Sequence, residues 1–376
     1  MRIIINAISA STGGIATYTN NLARSFLQRK VDAIFAISNE FNLDVDIPTI
    51  KLPANRLKPL RRVMWEQYFW REIIKNQNPD ILFSSANFGL LAPPVPQVLL
   101  IREGGLFDPF YLTNITSSMS TRAIFERIGR RKLILTSARS SQLILTPSES
   151  MKQLLIPWVR NLKTRIAVNQ YGATPLFLDS TEKKSQWKKN GILKLLYISA
   201  YYPHKQPGLI SEAVAQLNSR GIPCHLTLTM DLHSIGKTPG GEKDFILLGK
   251  GIKRGHVTMI GTVSYKTLPR IYSNHDLFIF PSISETFGHP LVEAMSMGIP
   301  IIASDTAIHR EVCKSSAIYF SPLYPSELTK KIQHLDKSET LRASLTKNGR
   351  KNVNRNFIWE DHVDRLLASF QETLKG

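Results

Sequence analysis

Cysteine is nearly absent: Cys224 and Cys313 are the only two in 376 residues. Their separation suits neither a thiolate metal site nor a disulfide framework, so a reducing, cytoplasmic compartment is expected. Long apolar runs are missing too. The best candidate, ILFSSANFGLLAPPVPQVLLI (81–101), is broken by Asn87, Pro93, Pro94, Pro96 and Gln97. A spanning helix needs roughly 18 or more apolar residues without such breaks. The opening RIIINAI reads as a strand and not as a secretory leader. Acidic residues are scarce: 29 Asp and Glu face 48 Lys and Arg, a formal charge of +19. That excess implies an anionic partner, whether nucleic acid, a membrane surface or a phosphorylated substrate. No zinc-ligand spacing, basic recognition helix or RNA-binding aromatic signature accompanies the charge, so nucleic acid is disfavoured.

What is present is the texture of a globular chain, 43% hydrophobic and long enough for two cores. RIIINAIS, DAIFAIS, DILFSSA, QVLLIRE and SQLILTPS are strand-like runs, with helical patterns between some of them. The polar stretch GATPLFLDSTEKKSQWKKNGI then interrupts, and LKLLYISA, CHLTLTM, HVTMIG, DLFIFP and PIIASD restart the alternation. Such alternation predicts parallel sheets with helices on both faces. The expected organisation is a first Rossmann-like domain over 1–178, a linker over 179–192 and a second Rossmann-like domain over 193–356. A C-terminal amphipathic helix, 357–376, is expected to pack back on the first domain.

One segment concentrates chemistry. FPSISETFGHPLVEAMSMGIP (280–300) reads as a strand end, a turn and a helix, with Glu285 before the helix and Glu293 within it. Ligands of doubly wound sheets bind at the carboxyl ends of strands. A helix start there offers unpaired N–H groups and a favourable dipole to an anion. Gly288 permits close approach, and Pro290 fits the first turn. Each glutamate alone reads as an ordinary helix-start or solvated residue; the pair in this context reads differently. A carboxylate such as Glu293 can accept from both hydroxyls of a ribose while a phosphate sits on the amides of Thr286, Phe287 and Gly288. Together they describe a nucleoside diphosphate. Gly13 and Gly14 follow the first strand, but G-x-G-x-x-G is absent, which disfavours a nicotinamide-dependent enzyme.

SETFGHPLVEA resembles the Glu-x7-Glu motif of the retaining GT-B glycosyltransferases of family 4, the glycosyltransferase group 1 domain. The resemblance extends over most of the chain, more weakly in its first half. It implies a GT-B fold: two Rossmann-like domains facing across a cleft. It implies a donor that is a nucleotide-diphosphate sugar, UDP- or GDP-linked, with Glu285 by the donor sugar and Glu293 on the ribose. YYPHKQPGL resembles the family's diphosphate-binding loop and carries that role to Lys205. Where the family often has an arginine five places earlier, this chain has Ala200, which leaves His204 or another residue to compensate. STGGIATYTNNL resembles the family's glycine turn, which makes Gly13 and Gly14 donor- or acceptor-facing. MIGTVSYKTL resembles the nucleobase loop, at Gly261 and Val263. IREGGLFDP lies where the family often carries a histidine, and sets Arg102 and Glu103 on the acceptor side. Catalytic residues are thus expected to be Glu285, Lys205 and Glu103.

Asp44 and Asp46 have the D-x-D spacing of metal-binding transferases, but no glycine turn adjoins them, and no metal or other cofactor is expected. The implied acceptor is a glycan or lipid-linked glycan of surface-polysaccharide assembly. A basic, aromatic stretch, RLKPLRRVMWEQYFWREII, begins with Arg56, Lys58, Arg61 and Arg62; a second cluster holds Arg122, Arg127, Arg130, Arg131, Lys132 and Arg139. These suit a peripheral, anionic membrane contact. The competing expectation is that Trp65, Phe69 and Ile73, spaced by four, form a helix core face. Two other functions remain open: a nucleic-acid-binding protein, and a nucleotide-sugar epimerase of similar fold.

Overall fold

The computed structural model describes residues 1–10, 13–53, 57, 59–115, 120–159, 164–182 and 186–375. Arg56 and Lys58 of the basic stretch, and Lys183 and Lys184 of the polar stretch, lie outside the described residues. The chain divides into two compact units: 1–107 with 125–172 and 359–376, and 108–124 with 173–358.

In the first unit the strands are β1 (Ile3–Asn6), β2 (Ala33–Ser38), β3 (Thr49–Leu52), β4 (Ile81–Ser84), β5 (Gln97–Leu100), β6 (Leu143–Thr146) and β7 (Arg165–Val168). They form one sheet in the order β3-β2-β1-β4-β5-β6-β7, and the pairs are parallel. The inner strands are buried on both faces, the signature of helices packed above and below. The edge strands β3 and β7 are largely exposed or half-buried, so no apolar run marks them in the sequence. One core gathers Ile4, Ile34, Leu82, Trp70 and Ile74; another gathers Leu99, Ile144, Ile134, Met151 and Leu155.

The helix Trp359–Lys375 belongs to this unit. Trp359, Val363, Leu366 and Phe370 are buried at helical spacing. Trp359 Nε1 donates to Ser25 Oγ at 2.7 Å, and the Phe370 ring lies 5.3 Å from that of Phe83.

The aromatic stretch departs from its expected core face. Trp65 and Ile73 pack partly buried on the core, but Phe69 is 65% exposed while Trp70 and Ile74 are fully buried. The cause is a π-helical turn, Glu66–Trp70, between the helices Pro59–Trp65 and Arg71–Asn76. A π turn holds one extra residue, so the inward face steps from 65 to 70, not 69.

The second unit contains β8 (Leu193–Tyr197), β9 (Cys224–Leu228), β10 (Val257–Met259), β11 (Leu277–Phe280), β12 (Ile301–Ser304) and β13 (Ala317–Phe320). Their order is β10-β9-β8-β11-β12-β13, again with parallel pairs. The division falls at Gly172, ahead of the polar stretch read as a linker. That stretch is anchored: Trp187 Nε1 donates to Asp336 at 3.0 Å, Lys188 pairs with Asp336 at 2.9 Å, and Arg342 lies over the indole. Residues 108–124, between β5 and β6 in the chain, also cluster with this unit; Tyr111 packs on Ile283 and edge-on to His204.

Candidate active site

The second sheet changes winding direction between β8 and β11, and a ligand crevice opens beyond the carboxyl ends of two such strands. The strands pair through Leu195–Leu277 and Leu196–Phe278, so their ends at Tyr197 and Phe280 lie side by side. After β8 the chain makes a 3-10 turn, Pro203–Lys205, then the helix Pro207–Ser219. After β11 comes the 281–288 turn, then the helix His289–Ser296. The two connections are bonded together: Ile283 N donates to the His204 carbonyl at 3.0 Å.

At this place Lys205 Nζ donates to Glu285 Oε1, with both side chains only 12% and 13% exposed. Tyr197 OH donates to the Lys205 carbonyl at 3.0 Å and fixes the turn, and Phe280 lies beneath the ammonium. Burial drives the Glu285 carboxyl upward, but Lys205, with His204 and His309, outweighs it and holds Glu285 below the usual carboxylate range. His204, four residues after Ala200, is thus one of the groups that keep Glu285 ionised.

Three helices start near these strand ends, and two starts carry a side-chain acceptor. Gly208 N, in the first turn of Pro207–Ser219, donates to Asp244 Oδ1 at 2.9 Å. The carboxylate comes so close that a Cβ on Gly208 would fall 2.6 Å from it. The Ala307–Cys313 helix is capped by Thr306, which accepts from His309 N. The His289–Ser296 helix has no side-chain cap; its N-cap is Gly288, at φ +86. That left-handed conformation is one that L side chains rarely adopt. Gly288 has no side chain, so this start carries no cap from its own N-cap residue, and a helix start of this kind favours an anion.

Glu293 lies one turn further along. It is 7% exposed, and its oxygens accept from Tyr265 and Tyr272 at 3.0 Å each. Burial raises its pKa to about 7, against the lowering effect of the two phenols. Tyr265 follows Gly261 and Val263 on the connection after β10. Gly261 is at φ +69 there, and Val263 is half-buried. Lys205, Glu285, Glu293, Gly261, Val263 and the Thr286–Gly288 turn thus all lie in the second unit. The Phe287 ring is core, packed on Phe357, so only its backbone faces the turn's chemistry.

The remaining predicted residues lie in the first unit. Gly13, at φ +65, and Gly14 open the helix Gly13–Gln28 after β1. Glu103 follows β5 and is paired with Arg130 at 2.6 Å. The Arg102 charge opposes the burial that raises the pKa of the Tyr171 phenol, and the Arg102 backbone N donates to Asn87 Oδ1 at 2.7 Å. Asp44 faces Arg24 at 3.8 Å. Among the described residues no group of three or more His, Cys, Asp or Glu is arranged to hold a metal ion.

Sequence reasoning missed several participants. His309 is fully buried, with Nδ1 2.9 Å from both the hydroxyl and the carbonyl oxygen of Ser304; burial lowers its pKa to about 4. Its Nε2, with Gln206 Oε1 beside Lys205 and Ser284 Oγ beside Glu285, lacks a hydrogen-bond partner among the described residues. Unpaired buried polar atoms call for a ligand or a functional reason. Tyr265, Tyr272, Asp244 and Tyr111 were missed too. A lone tyrosine or aspartate far along the chain carries no local signal of its partner.

Two doubly wound parallel sheets, the second with a lysine–glutamate pair at its switch point, define a GT-B glycosyltransferase fold. Residues 179–352 match the family model of the glycosyl transferases group 1. It is 24% identical over 325 residues to O-antigen chain mannosyltransferase B of Escherichia coli, covering 85% of this chain and 80% of that one. The fold is shared with sucrose-phosphate synthase from Thermosynechococcus elongatus at a TM-score of 0.77 and 18% identity, over 99% of both chains. It is also shared with Anabaena HepE, solved with UDP-glucose, at 0.68 and 15% identity, over 99% of this chain and all of that one.

Proposed function

We propose that this glycosyltransferase moves a hexose from a nucleoside-diphosphate sugar to a hydroxyl of a surface-glycan acceptor, with retention at the anomeric carbon and without a metal ion. The observation that carries the reading is the buried Lys205–Glu285 pair, with Glu285 three residues ahead of the Gly288 helix start. When the glycosidic bond breaks, charge accumulates on the β-phosphate. Lys205 and the amides of the 286–288 turn are the groups to stabilise it, and preorganised donors of this kind supply most of the acceleration in such sites. Glu285 orients the sugar hydroxyls, and Glu293 takes the ribose. Glu103 and the Gly13–Gly14 turn are assigned to the acceptor side and the donor phosphates. The relative named as an O-antigen mannosyltransferase supports a polysaccharide acceptor and makes GDP-mannose the first donor to try, with UDP-glucose second on the strength of the HepE complex.

The test is a panel of UDP- and GDP-sugars scored by thermal shift and product analysis, with and without chelator. A glycoside formed in the presence of chelator is the expected result. Loss of activity on chelation would end the metal-free reading, and a free, altered sugar would point to an epimerase.

We also assign the first unit a contact with anionic membrane, where a lipid-linked acceptor would reside. Met64, Tyr68 and Phe69 are 64%, 71% and 65% exposed on the helical run after Pro59, with Arg61 exposed beside them. Phe125, 73% exposed, shares the helix Thr121–Arg139 with exposed Arg122, Arg130, Lys132 and Arg139. Among the described residues no helix is long and apolar enough to cross a membrane. Apolar rings amid basic groups are how a peripheral protein grips an anionic surface. Vesicles containing anionic lipid should sediment the protein, neutral ones should not, and Tyr68→Ser with Phe69→Ser should weaken binding about tenfold. Indifference to lipid charge would remove the assignment.

A further inference from the structure

The carboxylate assigned to the ribose is already engaged by hydroxyls of this chain. Glu293 Oε1 accepts from Tyr265 and Oε2 from Tyr272, and the residue is 7% exposed. The two phenols are not equivalent. Tyr272 is fully buried on the helix Leu268–Ser273, its ring 5.8 Å from Phe177 and 5.5 Å from Phe278, and its oxygen is 3.1 Å from the Pro290 carbonyl. Tyr265 is half-buried at the head of a 3-10 turn, Tyr265–Thr267, between the exposed Ser264 and Lys266. Its hydroxyl also meets Thr174 Oγ1 at 3.1 Å.

Counting hydrogens shows what state this arrangement suits. Tyr272 has one hydroxyl hydrogen and faces two acceptors, Glu293 Oε2 and the Pro290 carbonyl. A proton on Oε2 satisfies everything: Oε2–H donates to Tyr272, Tyr272 donates to Pro290, and Tyr265 donates to Oε1. The groups facing the carboxyl are Tyr265 from the 3-10 turn, Tyr272 from its helix and the Pro290 carbonyl from Glu293's own helix. No charged side chain among the described residues acts on it. A ribose, by contrast, brings two hydroxyl donors and needs a carboxylate that accepts at both oxygens.

We propose that Tyr265 is a built-in surrogate for the ribose: its hydroxyl holds Glu293 Oε1 in the nucleotide-free protein and is exchanged for a ribose hydroxyl when nucleotide binds. Tyr272 stays, because its ring is locked in the core. Tyr265 leaves, because its turn is exposed and what remains to hold it is one neutral hydrogen bond, to Thr174, and an edge contact with the Phe177 ring at 5.6 Å. Tyr265 is thus a positioning residue that keeps the buried acid satisfied and competes with the ligand. This inference rests on the reading of Glu293 as the ribose ligand.

Calorimetry with UDP, GDP and their 2′-deoxy counterparts tests it. The expected result is that Tyr265→Phe binds the accepted ribonucleotide about 3- to 10-fold tighter than wild type, the worth of one competing hydrogen bond. Thr174→Ala, which loosens Tyr265 without touching Glu293, should shift affinity the same way by less. Proton release on binding, read from buffers of different ionisation enthalpy at pH 6.5, should accompany both. If wild type prefers ribo- over 2′-deoxynucleotide but both variants bind no tighter, the surrogate is wrong and the ribose reading stands. If wild type binds both sugars equally, or binds neither nucleotide, the ribose reading fails and the surrogate with it.

Discussion

Lys205→Ala should lower turnover by about 10²–10³-fold, the usual cost of removing one preorganised donor to a developing oxyanion. The same change should also destabilise the fold, and the two effects can be separated. Glu285 is held below its usual pKa chiefly by Lys205, against burial that pushes it up. In wild type this depressed pKa contributes stability that is present above the unfolded value of about 4.5 and is lost as pH falls through the folded value. Without Lys205 burial is left with less opposition. The folded pKa then climbs, and the variant loses stability as pH rises past about 4.5. A deficit of about 1–3 kcal/mol at pH 8, shrinking towards pH 5, is expected in denaturant titrations. The double variant Lys205→Ala with Glu285→Gln should recover most of that stability and none of the turnover. Wild-type turnover in Lys205→Ala would remove Lys205 from the chemistry.

Nucleoside-diphosphate affinity should fall by about tenfold between pH 8 and pH 6 through Glu293 alone. The pKa of Glu293 in the nucleotide-free protein is raised to about 7 by burial. A carboxyl with that pKa is roughly nine-tenths ionised at pH 8 and one-tenth at pH 6, and only the ionised form accepts from two ribose hydroxyls. The nucleotide's own terminal phosphate titrates near about pH 6 as well, so the comparison must be internal. Glu293→Gln should bind more weakly at pH 8 and keep only the phosphate's share of the pH dependence. An identical pH profile in Glu293→Gln would show that the acid does not titrate on binding.

Both predictions draw on residues whose importance could be read locally and on partners that could not. Glu285, Gly288 and Glu293 stand within eight positions of one another, so a strand end, a turn and a helix start place them without help from the rest of the chain. Lys205 was assigned by resemblance to a loop, but its contact with a carboxylate 80 residues away is a property of β8 and β11 lying side by side. The π turn at Glu66–Trp70 shows the opposite failure. A regular period of 3.6 was the only basis for an inward face, and one extra residue moved that face from Phe69 to Trp70.

The sequence by itself determined that there are two doubly wound α/β units, because buried parallel strands and helix starts are written in short, contiguous runs. It also determined where the second unit concentrates its acids. Only the tertiary structure decided that Asp244 closes the helix start at Gly208 from 36 residues away. Only it decided, too, that Glu293 is shut in by two phenols from separate segments. Hydrogen bonds and burial of that kind depend on distances through space, and a linear pattern carries no record of them.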